Sequence, residues 1–213
     1  MSANCCDHCD PDDGGPAYRR ALWLVLSINA AMFAVEIGAG LIAGSASLQA
    51  DALDFLGDSA NYAISLFVVG MGLRYRASAA LAKGVTMGLF GFWVLGLVVW
   101  HAWHATLPQA GTMGVVGVTA LLANVASFAL LWAYRGGDAN MRSAWICTRN
   151  DVLGSLAVLL AAAGVFGTGN GWPDLVVAAI MAGLALQGAW IVNRRALLEL
   201  RSTGLFASAV TRM

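Results

Sequence analysis

The sequence predicts an all-α membrane protein with six transmembrane helices and both termini in the cytoplasm. Of its 213 residues, 59% are hydrophobic and only 11% are charged, whereas about 25% are charged in soluble domains. The mean hydropathy is +0.71, and nearly all basic residues fall in alternate connections between apolar stretches. This composition excludes a water-soluble enzyme. A net charge of zero without a basic run excludes nucleic acid as a partner.

Six apolar stretches are each long enough to cross a hydrocarbon core of about 30 Å as a helix. They cover residues 20–43, 47–70, 84–104, 113–134, 143–166 and 174–192. Short connections of small residues, Gly and Pro join them in pairs, which predicts tight hairpins at one side of the membrane. Glycines in the third stretch, Gly84, Gly88 and Gly91, predict close packing against another helix.

The basic residues fix the predicted orientation. Eleven of the twelve flank the other set of connections and the two ends of the chain. They are Arg19, Arg20, Arg74, Arg76, Lys83, Arg135, Arg142, Arg194, Arg195, Arg201 and Arg212. Because cytoplasmic segments of bacterial membrane proteins carry the excess of Lys and Arg, this asymmetry places both termini in the cytoplasm, as expected for a multi-pass protein of the bacterial inner membrane. The twelfth, Arg149, lies inside the fifth stretch.

The chain divides into three predicted segments. They are a flexible N-terminal arm (1–18), a six-helix transmembrane domain (19–193) and a short cytoplasmic tail (194–213) long enough for one amphipathic helix. The arm carries four soft metal donors: Cys5, Cys6, His8 and Cys9. Soft donors at this density favour a metal-capture arm, and the alternative is a tail without function. Disulfides are not expected, because the arm faces the reducing cytoplasm.

The second apolar stretch contains three carboxylates that do not belong in lipid. Asp51, Asp54 and Asp58 fall within about 60° of arc on a helix, so they line one face. Each buried charge costs about 2.5–3.5 kcal/mol on insertion scales, which indicates a functional role. The structural alternative, in which the aspartates cap a helix start, is open for Asp51 but not for Asp58, which lies in the middle of the stretch.

The fifth stretch supplies the matching side chains. Cys147 and Asp151 are four residues apart and share a helix face, with Ser155 one turn further along. Since the second and fifth stretches are antiparallel, we expect Asp54 level with Asp151 and Asp58 level with Cys147. Three carboxylates and one thiolate suit a divalent ion such as tetrahedral Zn²⁺. The thiolate shifts the preference toward softer ions such as Cd²⁺.

These residues resemble the cation diffusion facilitator (cation efflux) family over about residues 19–195. The segments SLQADALDFLGDSAN and RNDVLGSLAVLLAA are similar to the motifs of the family's second and fifth helices. The resemblance implies that Asp54, Asp58 and Asp151 are metal ligands. The fourth position, usually His in zinc-transporting members, is Cys147 here, which leaves the substrate metal open among Zn²⁺, Cd²⁺ and Co²⁺.

The resemblance further implies export of a divalent metal from the cytoplasm by alternating access in a homodimer, driven by inward proton movement. The metal is then a substrate, and no permanently bound cofactor is expected. Family members usually carry a C-terminal cytoplasmic domain, and this chain is expected to be a short form without it. The alternatives are a metal sensor or metallochaperone without transport, and a small proton-coupled drug exporter that uses Glu36.

Glu36 and Arg149 are charged residues inside apolar stretches that the metal ligands do not account for. A buried ion pair between Arg149 and Glu36, Asp51 or another helix would compensate their charges. Together with Asp51 and Ser155, they are predicted to be auxiliary residues of the site. His101 and His104 lie beside Trp100 and Trp103 at a span end and are predicted to be interface anchors, with a metal contact on the exit side as the alternative.

Overall fold

The computed structural model describes residues 16–67, 73–134 and 139–210, and all regular structure in them is helical. The helices are α1 (Pro16–Ala43), α2 (Ala46–Phe67), α3 (Leu73–His104), α4 (Ala110–Trp132), α5 (Ala139–Thr168) and α6 (Trp172–Val210). Each predicted stretch coincides with one of them, as expected in lipid, where a helix satisfies its own backbone groups. The prediction of an all-helical protein is confirmed for these residues.

Five of the six helices are long and apolar enough to cross a membrane, and α2 is the exception because it carries three aspartates. Large apolar side chains point outward on the other helices, among them Ile42, Leu89 and Leu184. Such side chains suit contact with lipid. The count of six spans and the cytoplasmic position of the termini stay predictions. α6 continues without a break to Val210 and so includes most of the segment predicted to be a short tail, 194–213.

The predicted hairpins are short turns in the structure. Gly44 ends α1 and Gly169 follows α5, both with positive φ (64° and 62°), a conformation that glycine adopts without steric cost. The amide of Gly169 donates to the carbonyl of Val165, which caps the last turn of α5. The connection between α3 and α4 joins the same end of the bundle, because the Gln109 amide donates to the Ala43 carbonyl at 3.0 Å.

Four helices form a ring around the core. α1 packs on α2 and α4, and α5 packs on α4 and α2. Apolar side chains fill the contacts between α1, α2 and α4; Leu22, Tyr62 and Leu131 are each buried there. A second group, which includes Leu48, Met113 and Val158, joins α2, α4 and α5. This packing encloses α2 and places its acidic face inside the protein.

The remaining helices, α3 and α6, form a close pair beside this ring, in contact with α2. A Cβ on Gly91 would come within 2.9 Å of the side chain of Leu186, and one on Gly84 would collide with the side chain of Asn193. At Gly88 a Cβ would only make ordinary contact, 3.7 Å from Ala189. The predicted role of these glycines in close helix packing is therefore confirmed, and their partner is α6.

The first turn of α2 is held by a carboxylate of α6. Asp174 is buried and accepts the amides of Ala46 at 2.8 Å and Ser47 at 3.0 Å. It also accepts the hydroxyls of Ser45 at 2.7 Å and Ser47 at 2.6 Å. The first amides of a helix have no partner within the helix and carry the positive end of its dipole, so a carboxylate stabilises them well. This contact fixes where α2 begins.

Candidate metal centre

The three aspartates of α2 lie inside the helix and not at its cap. α2 begins at Ala46, and its first turn is capped by Ser45, whose hydroxyl accepts the Leu48 amide at 3.2 Å, and by Asp174. Asp51 is 1% exposed and Asp58 is 7% exposed. The capping interpretation of Asp51 is therefore wrong, and the carboxylates face the interior of the bundle.

Asp151 of α5 faces these carboxylates. Its carboxyl group interacts electrostatically with those of Asp58, Asp54 and Asp51, and most strongly with Asp58. One of its oxygens, Oδ2, is buried and has no hydrogen-bond partner among the described residues. The predicted register, which set Asp54 level with Asp151, is wrong, because the packing of α5 on α2 brings Asp58 opposite Asp151.

The same register places small residues of α5 against the start of the acidic face. The Ser155 hydroxyl donates to Asp51 Oδ2 at 3.2 Å. A Cβ on Gly154 would lie 3.5 Å from Asp54 Oδ2 and 3.6 Å from Asp51 Oδ1. Glycine at this position keeps side-chain atoms away from the two carboxylates. Ser155, predicted to be auxiliary, therefore contacts Asp51 rather than a predicted ligand.

Neutral polar side chains of α2, α4 and α5 orient the centre, and two of them, Tyr62 and Thr148, were not predicted from the sequence. The Tyr62 hydroxyl lies 3.4 Å from Asp58 Oδ2, to which it donates, and 2.8 Å from Thr148 Oγ1 on α5. The Asn124 amide of α4 donates to the Ser155 hydroxyl at 2.9 Å. Tyr62 lies four residues after Asp58 on the same face of α2, and this spacing is the signal that could have identified it.

Lys83 of α3 lies near the centre, on the side of Asp58. Its charge interacts with the Asp58 carboxylate, and its ammonium group donates to the side-chain oxygen of Asn61. From the sequence, Lys83 is expected only to contribute to the orientation of the chain. The structure shows in addition that it contributes positive charge beside the carboxylates.

The fourth predicted ligand, Cys147, belongs to α5, but its side chain lies outside those that the structure describes. Within the described side chains, no three His, Cys, Asp or Glu residues converge as closely as ligands around one ion. The predicted capture residues lie outside the described residues as well: Cys5, Cys6, His8 and Cys9. Their roles stay predictions.

Arg149 and Glu36, one of the partners predicted for a buried ion pair of Arg149, differ in their surroundings. Arg149 is exposed on α5, whereas Glu36 on α1 is fully buried. The Glu36 carboxyl group lies within side-chain hydrogen-bond reach of the Asp51 carboxyl group, and the charges that act on it belong to Asp51 and Asp54. Glu36 therefore extends the acidic cluster, and no basic side chain among the described residues acts on it.

The two histidines at the end of α3 differ from each other. His104 is exposed, stacks on Trp100 with ring centroids 4.0 Å apart, and uses Nδ1 to contact the Trp100 carbonyl. This arrangement suits an interface anchor. His101 is buried beside a cavity of about 280 Å³, lies near Asp174, and has no partner for Nδ1 within the described part of the chain. The expectation of an anchor therefore does not fit His101.

The fold and the site together define a class of protein: a multi-pass helical membrane protein whose core holds a centre of carboxylates from two antiparallel helices. Comparison with known families is more specific. Residues 22–201 match the cation efflux transmembrane domain, and the chain belongs to this family. The resemblance drawn from the two helix motifs is confirmed, and the family consists of transporters and not enzymes. Because several helices are long and apolar enough to cross a membrane and the relatives are bacterial, the chain is a multi-pass protein of the bacterial inner membrane.

Several curated proteins are similar to the chain. The zinc transporter ZitB of Escherichia coli (strain K12) is 28% identical over 200 residues, which cover 85% of this chain and 62% of ZitB. The metal cation efflux system protein CzcD of Cupriavidus metallidurans is 26% identical over 190 residues, covering 84% of this chain and 60% of CzcD. The ZitB of Yersinia pestis is 28% identical over 195 residues. The chain thus spans about 62% of the length of the first relatives it matches.

Proposed function

We propose that this protein exports a divalent metal cation from the cytoplasm in exchange for protons, by alternating access in a homodimer. Zn²⁺ is the main proposed substrate, with Cd²⁺ and Co²⁺ as further ones. The metal is cargo, so the protein needs no permanently bound cofactor. The observation that supports this function best is the opposition of Asp58 and Asp151 on antiparallel helices in the core of the bundle.

The proposed transport site consists of Asp54, Asp58, Cys147 and Asp151. Buried carboxylates are costly in a bilayer, and the single ammonium group of Lys83 does not balance Asp54, Asp58 and Asp151, which supports a cation as their partner. The buried Asp151 Oδ2, which has no described hydrogen-bond partner, supports the same view. The relatives named zinc transporter and metal cation efflux protein add family support for a divalent metal.

Proton exchange follows from the chemistry of these ligands. Carboxylates and a thiolate bind metal only when they are deprotonated, so protons and metal compete for the same atoms. Protons that arrive from outside therefore favour metal release there, and their loss to the cytoplasm restores the site. Tyr62 and Asn124 hold Asp58 and Ser155 in place during this exchange.

The test is uptake of Zn²⁺ into inverted membrane vesicles with an imposed proton gradient. We expect Asp58→Ala to reduce the rate by about a hundredfold or more, since even residues that support a metal ligand contribute about 10–100-fold. Glu199→Gln, at an exposed carboxylate of α6, serves as the matched control and should transport like the wild type. Equal transport by Asp58→Ala would show that the assigned site is wrong. Binding of Zn²⁺ by the wild type without uptake would favour a sensor.

The identity of the metal is tested separately at Cys147. A thiolate favours softer ions, so Cys147→His should lower Cd²⁺ transport relative to Zn²⁺ transport. The measurement is the ratio of the two uptake rates in the same vesicles, with Cys147→Ala as the control for packing. An unchanged ratio in Cys147→His would mean that the thiol does not ligate the metal.

A further inference from the structure

Lys83 of α3 directs its ammonium group toward the helix that carries the transport site. The side chain is half-buried, and its ammonium donates to the side-chain oxygen of Asn61 on α2. Asn61 follows Asp58 by three residues, so the two lie on the same face of α2. The Asn61 side chain is within hydrogen-bond reach of the Asp58 carboxyl group, and its amide nitrogen supplies the donor. Lys83 and Asn61 thus connect α3 to Asp58.

The packing of α3 on α2 places Lys83 at this level. A Cβ on Gly57, next to Asp58, would lie 3.2 Å from the terminal carbon of the Met87 side chain. One turn further along α2 and one turn back along α3 lead to Asn61 and Lys83. The two helices are therefore antiparallel here, with matching turns in contact. The position of Lys83 beside Asp58 follows from this register and not from the flexibility of a long side chain.

A positive charge at this place acts on a centre that is otherwise acidic. The carboxylates of Asp54, Asp58 and Asp151 act on one another as like charges, whereas the ammonium of Lys83 attracts Asp58. Electrostatic interactions are stronger in a protein core than in water. A lysine that served only to orient the chain would extend its ammonium to water. Lys83 instead compensates part of the negative charge of the centre.

We propose that Lys83 is the internal counter-cation of the transport site. Held by Asn61, its ammonium partly neutralises Asp58 while the site carries no metal, and it loses this interaction when a divalent ion binds. The inference rests on the proposed function, because it gives Lys83 a role in the same transport cycle. Asn61 is then a positioning residue, since it acts through the ammonium of Lys83 and the carboxylate of Asp58.

This role makes Lys83 a competitor of the metal. A divalent ion that binds Asp58 is repelled by the nearby ammonium and replaces it as the partner of the carboxylate. Lys83 therefore lowers the affinity for the metal and favours its release during transport. A residue that only supported the fold or oriented Asp58 would have the opposite effect, because its loss weakens metal binding. The sign of the change in affinity thus distinguishes the two roles.

The first experiment is calorimetric titration of the purified, detergent-solubilised protein with Zn²⁺ at about pH 8, where few protons compete with the metal. Lys83→Met removes the charge and should bind Zn²⁺ about tenfold more tightly, as expected for the loss of one competing interaction with a charged group. Lys83→Gln, which keeps a donor for Asn61 but no charge, should do the same. Lys83→Arg keeps the charge and should bind like the wild type. The matched control is Arg74→Met, which removes a positive charge from an exposed position on α3 and should leave the affinity unchanged.

The second experiment measures the kinetics of Zn²⁺ uptake into inverted vesicles. Lys83→Met should lower both the KM and the maximal rate, because an ion that binds more tightly leaves more slowly. Asn61→Ala should change both quantities in the same direction. The double exchange should have no more effect than Lys83→Met, since the two side chains act together. Thermal unfolding of each variant confirms that it is folded.

Asp58→Ala separates this inference from the proposed function. A Zn²⁺ affinity that is unchanged or lower in Lys83→Met, or that rises equally in Lys83→Arg, would overturn the role of Lys83. Loss of uptake in Asp58→Ala would in that case leave the transport site in place. Uptake by Asp58→Ala at the wild-type rate would instead overturn the transport site itself. Additive effects of Asn61→Ala and Lys83→Met would mean that Asn61 does not act through Lys83.

Discussion

At the scale of single residues, the carboxylates differ in what surrounds them. Asp58 has a hydroxyl donor in Tyr62 and a nearby ammonium in Lys83. Glu36 has only acidic neighbours, and Asp151 keeps one oxygen without a described partner. The carboxyl group of Asp58 on α2 thus has a hydroxyl donor and a positive charge nearby, whereas those of Glu36 on α1 and Asp151 on α5 have fewer such neighbours.

Tyr62 is predicted to position Asp58 rather than to bind the metal itself. Tyr62→Phe removes the hydroxyl that contacts Asp58 Oδ2 and Thr148 while it keeps the ring in its buried place. Loss of a hydrogen bond that orients a metal ligand should weaken Zn²⁺ binding by about 10–100-fold. Calorimetric titration of the purified variant measures this change.

Tyr134→Phe is the matched control, since Tyr134 contacts the ring of Tyr18 away from the acidic centre. It should bind Zn²⁺ like the wild type. If Tyr62→Phe also binds like the wild type, Tyr62 has only a packing role between α1, α2 and α4.

At the scale of the helices, the position of α2 depends on its first turn. Asp174 of α6 accepts two amides and two hydroxyls from this turn and so connects two helices that are distant in sequence. The close pair of α3 and α6 then packs against α2 from one side, while α1 and α5 pack against it from the ring. The height of the three aspartates relative to α5 is therefore determined by contacts on several sides.

We expect Asp174→Ala to destabilise the protein strongly. Hydrogen bonds to a charged acceptor contribute about 1.5–3 kcal/mol each, and the variant would leave buried amides of Ala46 and Ser47 without their acceptor. The expected loss is thus at least about 3 kcal/mol, measured as a lower midpoint of thermal unfolding in detergent.

Ser47→Ala provides a graded comparison, because it removes one hydroxyl and leaves both amide bonds to Asp174. Its loss should be about 1.5 kcal/mol, the lower end of the range for one hydrogen bond to a charged acceptor. An unchanged unfolding midpoint for Asp174→Ala would contradict the assigned capping role.

At the scale of the whole molecule, the charged residues have two separate tasks. Exposed basic side chains near the ends of the apolar stretches, such as Arg19, Arg74 and Arg194, are the basis of the predicted orientation. Within the described part of the chain, most acidic side chains lie instead in the core, on α1, α2 and α5. A ring of four helices with a flanking pair thus keeps apolar side chains toward lipid and carboxylates inside.

Much of this architecture follows from local sequence patterns. Apolar stretches of sufficient length predicted every helix, and small residues predicted the three short hairpins and the close packing of α3. The spacing of Asp51, Asp54 and Asp58 predicted one acidic face, because helical periodicity is a property of a single segment. The spacing of Cys147 and Asp151 pointed to the facing helix in the same way.

The sequence by itself determined the class of membrane protein, the helices and the acidic faces, because hydropathy and periodicity are local. Only the tertiary structure decided that Asp58 and not Asp54 lies opposite Asp151, that Glu36 joins the acidic cluster, and that Arg149 is exposed. It also decided that Asp174 caps α2, a contact with Ser45 across 129 residues of sequence. The physical reason is that the register of packed helices depends on how side chains of different segments fit together, which no single segment encodes.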